Sequence, residues 1–430
     1  MNLAKIGRSL LIIISIALLS SSVRAEDEGP IKIGILHSQS GTMAISEAPL
    51  KDLLLMLIEE QNAAGGVLGR RLQPVIMDPA SNDSLFAQMA QELLAELDVD
   101  VVFGCWTSGS RKAVLPVFEG LNRLLYYPVQ YEGQESSRNV FYFGATPNQQ
   151  AIPAVDYLLS KEGGAIKRWA LIGTDYVYPR TTNKILRSYL NFNGVPDSDI
   201  LEVYTPFGHT DWAELINDVR KFSDIGLPTA IISTINGDAN LHFYKELVQQ
   251  GVKAQDIPVM AFSVGEAELR NLPVESAAGH LAAWNYFMSV HTPENTAFIK
   301  RWQLYSGDPS AVTTDPMAAH HIGFKMWVQA VEQAGTTDTN AVRQAMYGQV
   351  VRSLAGYLAT MSADHHTSKL ALIGQMQPDG QFKLVWSSNG VIQPDAWSDF
   401  ILESANLTAD WRYPWVCGGC ESPKFAVPGK

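Results

Sequence analysis

Short apolar runs alternate with helix-length amphipathic segments along this chain, and few folds accommodate that order. Residues 31–36 (IKIGIL) read as a strand. A helix over about 46–62 follows, with Leu50, Leu53, Leu54 and Leu57 spaced by three and four, and Gly65-Gly66 ends it. A strand over 72–77, a helix over 84–97 and a strand over 101–103 continue the series. The pattern restarts with strands at 169–173, 200–204, 229–234 and 258–262, and with helices at 180–193 and 241–250. Such an order predicts an α/β protein with two doubly wound parallel sheets of similar size. Helical text returns at 292–301 and 315–334, and strand-like text at 371–374 and 382–386, so the chain is expected to cross between two lobes more than once. The expected partition gives one lobe residues 29–150 and about 281–355, and the other 151–280 and about 356–405, with a tail over 406–430.

With 430 residues, 46% of them hydrophobic, the chain can fill two such cores. The formal charge of −12 becomes more negative once Lys5, Arg8 and Arg24 are set aside. No nucleic acid partner is expected, because phosphate contacts need clustered Lys and Arg. Those three cations flank the apolar run 10–19, which is followed by the small-x-small ending Val23-Arg24-Ala25. Residues 1–25 therefore read as a cleaved signal peptide, the run being shorter than the roughly 20 residues that span a bilayer. A periplasmic mature protein is expected. In that oxidising compartment Cys417 and Cys420 of the CGGC tail read as a small local disulfide; a redox or metal role is the alternative, without the strand-then-helix setting or the further ligands it needs.

In doubly wound sheets ligands sit beyond the carboxyl ends of the strands, which directs attention to five loops. They are 37–43 (HSQSGTM), 104–110 (GCWTSGS), 126–132 (YYPVQYE), 174–180 (TDYVYPR) and 234–238 (TINGD), each rich in hydroxyls, amides or rings. No GxxxxGK[ST] and no GxGxxG after a strand marks a phosphate site. The nine histidines show no HxH or HExxH spacing, so no metal site is expected, and no other cofactor. Cys105 stands at a strand end without an identifiable base and reads as a packed thiol rather than a nucleophile.

The segments 34–44 (GILHSQSGTMA), 104–115 (GCWTSGSRKAVL), 127–133 (YPVQYEG), 174–179 (TDYVYP), 207–211 (FGHTD) and 282–286 (AAWNY) closely resemble the urea-binding proteins of bacterial ABC transporters. These belong with the short-chain amide and branched-chain amino-acid binding proteins, and the resemblance runs from about 31 to 398. It implies a type I periplasmic binding fold, two lobes hinged about a cleft, no catalysis, and membrane permease subunits as partners. Carried over by motif, Trp106, Thr107, Ser108, Gln130 and Tyr131 would form the first lobe's wall and Tyr176, Tyr178, Asn236 and Asp238 the second. Glu266 and Trp284 join them from loops whose alignment can slip. The chain departs from the family at Leu370, where relatives usually have proline after the paired histidines 365–366, and in its CGGC tail.

Urea is planar and uncharged, with one acceptor oxygen and four N–H donors, so its site must be acceptor-rich, donate to the oxygen and offer flat surfaces. Asp238 or Glu266 and the Asn236 and Gln130 amide oxygens suit the first need. Ser108, Tyr176 or a backbone N–H suit the second, and Trp106 and Tyr131 the third. An amino-acid ligand would need a cation for its carboxylate, and Arg111 and Arg180 read as solvated charges at helix starts. A neutral amide is therefore favoured, with acetamide, formamide or a branched-chain amino acid as alternatives. An amide-cleaving enzyme would release ammonia; a sensing subunit would alter gene expression without carrying urea uptake.

Overall fold

The computed structural model describes residues 29–272 and 277–401, so the signal peptide, Cys417 and Cys420 lie outside the described residues. The first sheet has the order β2-β1-β3-β4-β5, built from β1 (Ile31–Leu36), β2 (Leu72–Met77), β3 (Val101–Gly104), β4 (Leu125–Tyr127) and β5 (Val140–Tyr142), all parallel. Crossovers run through α1 (Ala44–Ala63), α2 (Asp83–Gln91) and α3 (Ser108–Leu121). The helix expected over 84–97 changes to a π-turn at Glu92–Glu96.

The second sheet has the order β14-β13-β10-β9-β8-β6-β7. Its parallel part comprises β6 (Arg168–Thr174), β7 (Ile200–Thr205), β8 (Thr229–Thr234), β9 (Val259–Ala261) and β10 (Leu281–Trp284). Helix α4 (Ala151–Leu159) and α5 (Val177–Phe192) pack on one face; α6 (Ala213–Ser223) and α7 (Ala239–Gln249) pack on the other. The fully buried β6 and β8, apolar at their centres over 169–173 and 230–232, fit a sheet covered on both sides.

After the short α8 (Glu266–Leu269) and β10, the chain returns to the first lobe through α9 (Pro293–Ser306), α10 (Asp315–Ala334) and α11 (Thr339–Met346), whose apolar faces join the first core. The β-hairpin of β11 (Val350–Arg352) and β12 (Leu358–Thr360) belongs there too. Two antiparallel strands, β13 (Leu372–Met376) and β14 (Phe382–Ser387), then complete the second sheet. The two later crossings thus fall after Trp284 and near Leu370, where the sequence put them at about 281 and 356. Both differences have one cause: hydrogen bonding holds β10 to β9, and β12 to β11, before the chain turns.

The three crossings are tied at one point. Asn285 Nδ2 donates to the Gln149 carbonyl at 3.0 Å and to the Leu370 carbonyl at 2.7 Å.

Candidate functional site

The five loops read from the sequence meet where the carboxyl ends of the two sheets face each other. Gln130 Nε2 donates from the first lobe to the Phe262 carbonyl at 2.8 Å and to Ser263 Oγ at 2.9 Å. Asp238 N donates to the Thr42 carbonyl at 3.2 Å, and Ser46 Oγ donates to the Glu268 carboxylate. Gly237 makes this approach possible: at φ +67° its backbone suits glycine, and a Cβ there would come within 2.5 Å of the Thr42 carbonyl oxygen.

On the first lobe, β3 is followed by Cys105 at φ +66°, a left-handed residue that turns the chain sharply before Trp106. Cys105 is buried, and burial pushes its thiol well above the ordinary range. Thr107 caps α3, its hydroxyl accepting from Ser110 N at 2.9 Å. Ser108 Oγ donates to Glu132 Oε2 at 2.5 Å and accepts from Arg111 Nη1 at 3.1 Å. Tyr127 OH donates to the Trp106 carbonyl at 2.6 Å, fixing the loop that carries the indole.

Arg111 corrects the sequence reading. It is fully buried, not solvated, because Glu135 Oε1 lies 2.8 Å from its Nε and Glu132 Oε1 lies 3.5 Å from its Nη2. Lys112 completes the cluster, 2.5 Å from Glu135 Oε2 and 3.7 Å from Glu132 Oε1. Two cations face two carboxylates, so the group is electrically balanced. Burial pushes the Glu135 carboxyl up, but Arg111 and Lys112 more than offset it and hold it at about 2. Arg180 is only partly exposed, paired with Asp175 at 2.8 Å and set over the Tyr204 ring.

Tyr131 is also placed differently from its expected stacking role. Its ring stacks on Tyr142 with centroids 5.0 Å apart and carries the Arg111 guanidinium 4.6 Å from its centroid. Its hydroxyl pairs with His366 Nε2 at 2.5 Å. The paired histidines are thereby accounted for: His365 stacks on Phe141 and His366 on Tyr142, bracing β5 from the returning chain.

On the second lobe Tyr176 and Tyr178 are buried at the start of α5, their rings 6.1 Å apart, with Phe207 against Tyr176. Burial pushes both hydroxyls above the ordinary tyrosine range, and for Tyr178 the neighbouring Gln130 and Ser263 pull part of the way back. Asn236 spends its amide N–H on the Thr234 carbonyl at 3.0 Å, leaving its oxygen as the acceptor. Asp238 stands before α7 without capping it. Glu266 and Trp284 are engaged in the framework. Glu266 Oε1 accepts from Met288 N at 2.6 Å, with burial pushing its carboxyl up to about 8, and Trp284 Nε1 donates to the Val264 carbonyl at 2.9 Å.

Four buried polar atoms on the sequence-derived candidates have no hydrogen-bond partner among the described residues: Trp106 Nε1, Gln130 Oε1, Tyr178 OH and Asp238 Oδ1. Unpaired atoms also occur in the packed cores, at Trp169 and Tyr244, so the count alone decides nothing. What distinguishes these four is that they sit in the loops where the lobes meet, two on each lobe. None of the four lines the cavity of about 340 Å³ that Thr42, Glu47, Asp83 and Thr107 of the first lobe form with Phe207 of the second. Burial, with Glu47 nearby, raises the Asp83 carboxyl to about 6. No group of three or more His, Cys, Asp or Glu side chains able to hold a metal is found among the described residues. Glu132, in the quoted loop 126–132, and Ser263, which accepts from Gln130 across the cleft, are not singled out by the sequence; only the fold shows what they meet.

Two doubly wound lobes meeting at their strand ends define a bilobal binding protein with the type I periplasmic fold. The family model described as a periplasmic binding protein domain matches residues 31–403, and the chain belongs to that family. A Leu/Ile/Val-binding protein homolog 7 of Brucella melitensis is 23% identical over 409 residues, covering 89% of this chain and 97% of that protein. A stretch of 138 residues is 32% identical to limonene hydroxylase of Geobacillus stearothermophilus, but the chain spans only 25% of that protein's length. Among solved structures, an amino acid ABC transporter substrate-binding protein from Pseudomonas fluorescens superposes with TM-score 0.74 at 21% identity, covering 85% of this chain and 97% of that one. A solute binding protein from Rhodopseudomonas palustris in complex with p-hydroxybenzoic acid gives 0.74 at 21%, covering 86% and 98%. A branched-chain amino acid binding protein from Streptococcus pneumoniae in complex with isoleucine gives 0.71 at 18%, covering 85% and 100%.

Proposed function

We propose that this protein captures urea outside the cytoplasm and delivers it, chemically unchanged, to the permease subunits of an ABC transporter. The observation that carries the reading is the set of four unpaired buried atoms between the lobes. Gln130 Oε1 and Asp238 Oδ1 accept, Trp106 Nε1 donates, and Tyr178 OH does either, which suits a ligand that offers N–H groups and one carbonyl oxygen. The charge balance supports the same choice. Arg111 and Lys112 are held by Glu132 and Glu135, so the cations nearest the cleft are already matched.

Urea has four heavy atoms, and at about −1.5 kcal/mol per atom its best binding free energy is roughly −6 kcal/mol. That corresponds to a dissociation constant on the order of tens of micromolar. Reaching the limit needs a ligand buried on all sides, as closure of the two lobes provides.

The competing reading is a branched-chain amino acid, supported by the names of the full-length curated relatives and by Asp238, whose carboxylate suits an ammonium group. Isothermal titration of the purified protein with urea, acetamide, formamide and leucine separates the two. Heat of binding with urea at the greatest affinity supports the proposal; saturation by leucine with no urea heat replaces it. Release of ammonia from urea would instead make the protein an enzyme.

A further inference from the structure

We infer that Glu132 is a positioning residue that fixes the hydrogen-bond polarity of Ser108, so that Ser108 accepts an N–H from the ligand and does not donate to it. The inference rests on the neutral-amide reading above and adds the group that prefers urea over a mono-amide.

A serine hydroxyl has one proton and two lone pairs. Ser108 has spent its proton on Glu132 Oε2, and Arg111 Nη1 fills one lone pair, so only an acceptor position remains. The donor role that the sequence suggested for Ser108 is closed to it. Glu132 is itself held in place. Its other oxygen lies 3.5 Å from Arg111 and 3.7 Å from Lys112, and Glu135 balances both cations from behind, taking a further bond from Tyr142 OH at 2.8 Å. Ser108, Arg111 and Lys112 lie on α3, which packs against α5 of the opposite lobe, the helix that carries Tyr178. With Gln130 Oε1, Asp238 Oδ1 and the Asn236 amide oxygen, Ser108 makes a fourth acceptor. That number exceeds the two N–H groups of acetamide and equals the four of urea.

The cations make the claim testable by a near-isosteric change. In Glu132→Gln, Arg111 and Lys112 hold the amide oxygen on their side, which turns the amide N–H₂ toward Ser108 and frees the serine proton for the cleft. Calorimetric titration with urea and acetamide should then show the urea preference of the wild type falling about tenfold, the size of one lost hydrogen bond. Ser108→Ala should lose the same preference and Ser108→Thr, which keeps the hydroxyl, should retain it. Adding Glu132→Gln to Ser108→Ala should change the ratio no further. The Ser108 pair decides the matter even if Glu132→Gln does not fold. A urea-to-acetamide ratio unchanged in Ser108→Ala, or a fall in Glu132→Gln that persists without the hydroxyl, overturns the role given to Glu132 and Ser108. Wild-type protein that binds neither amide overturns the parent reading instead, and the inference with it.

Discussion

Gln130 Nε2 donates across the cleft to the Phe262 carbonyl at 2.8 Å, while Oε1 of the same amide is left without a partner among the described residues. One side chain thus joins the lobes and keeps an acceptor open. Replacing it by alanine should weaken urea binding by about 1–3 kcal/mol, the cost of leaving buried hydrogen-bonding groups unmet. Small-angle scattering of the urea-saturated variant should give a larger radius than the wild type. Equal radii and equal affinities would separate Gln130 from closure.

Asp238→Ala removes an acceptor from the second lobe. Urea affinity should fall by about 1–3 kcal/mol, with the circular dichroism spectrum and melting temperature close to wild type. Unchanged calorimetric affinity would remove Asp238 from the site.

Gly144 lies under the loop that carries Gln130. A Cβ there would come within 1.8 Å of the Val129 carbonyl oxygen and 2.3 Å of Gln130 N, both backbone atoms that cannot swing aside. Gly144→Ala should displace the loop, lowering both melting temperature and urea affinity. A variant that melts and binds like wild type would contradict this packing.

Glu135 gives the fold an acid limit. Its folded value of about 2 is depressed from 4.5, so its contribution is present above pH 4.5 and lost as pH falls toward 2. In Glu135→Gln, thermal melts between pH 6 and 2 should start lower and slope less over that window. A parallel slope would place the acid sensitivity elsewhere.

Glu266 acts in the opposite sense. Its value is raised from 4.5 to about 8, so its contribution is fully present below pH 4.5 and lost as pH rises through 8. Glu266→Gln, which can still accept from Met288 N, should flatten the decline in melting temperature between pH 5 and 8.5. An unaltered decline would show that Glu266 is not the group responsible.

Much of the architecture is legible in the sequence because the strands buried on both faces have apolar centres. Helix α10 is bounded by sequence signals as well, with Pro316 in its first turn and Gly335 at φ +66° closing it. The β11–β12 hairpin escapes notice because its strands are three residues long and only Val351 and Ala359 face inward. The candidate site is legible only as loops, since strand ends locate themselves once strands are found. The pairing within them was not. Whether Arg111 meets water or carboxylate depends on Glu132 and Glu135, which the β4 turn brings back over α3. Tyr131 has the same difficulty, because His366, more than 200 residues away, decides where its hydroxyl points.

A crystal structure of the protein grown with urea tests the central claim most directly. The expected result is a closed cleft with urea enclosed, its oxygen on Trp106 Nε1 or Tyr178 OH, and its nitrogens on Gln130 Oε1, Asp238 and Ser108. Urea absent from a closed cleft, or an amino acid retained there from the expression host with its carboxylate and ammonium both paired, would contradict it.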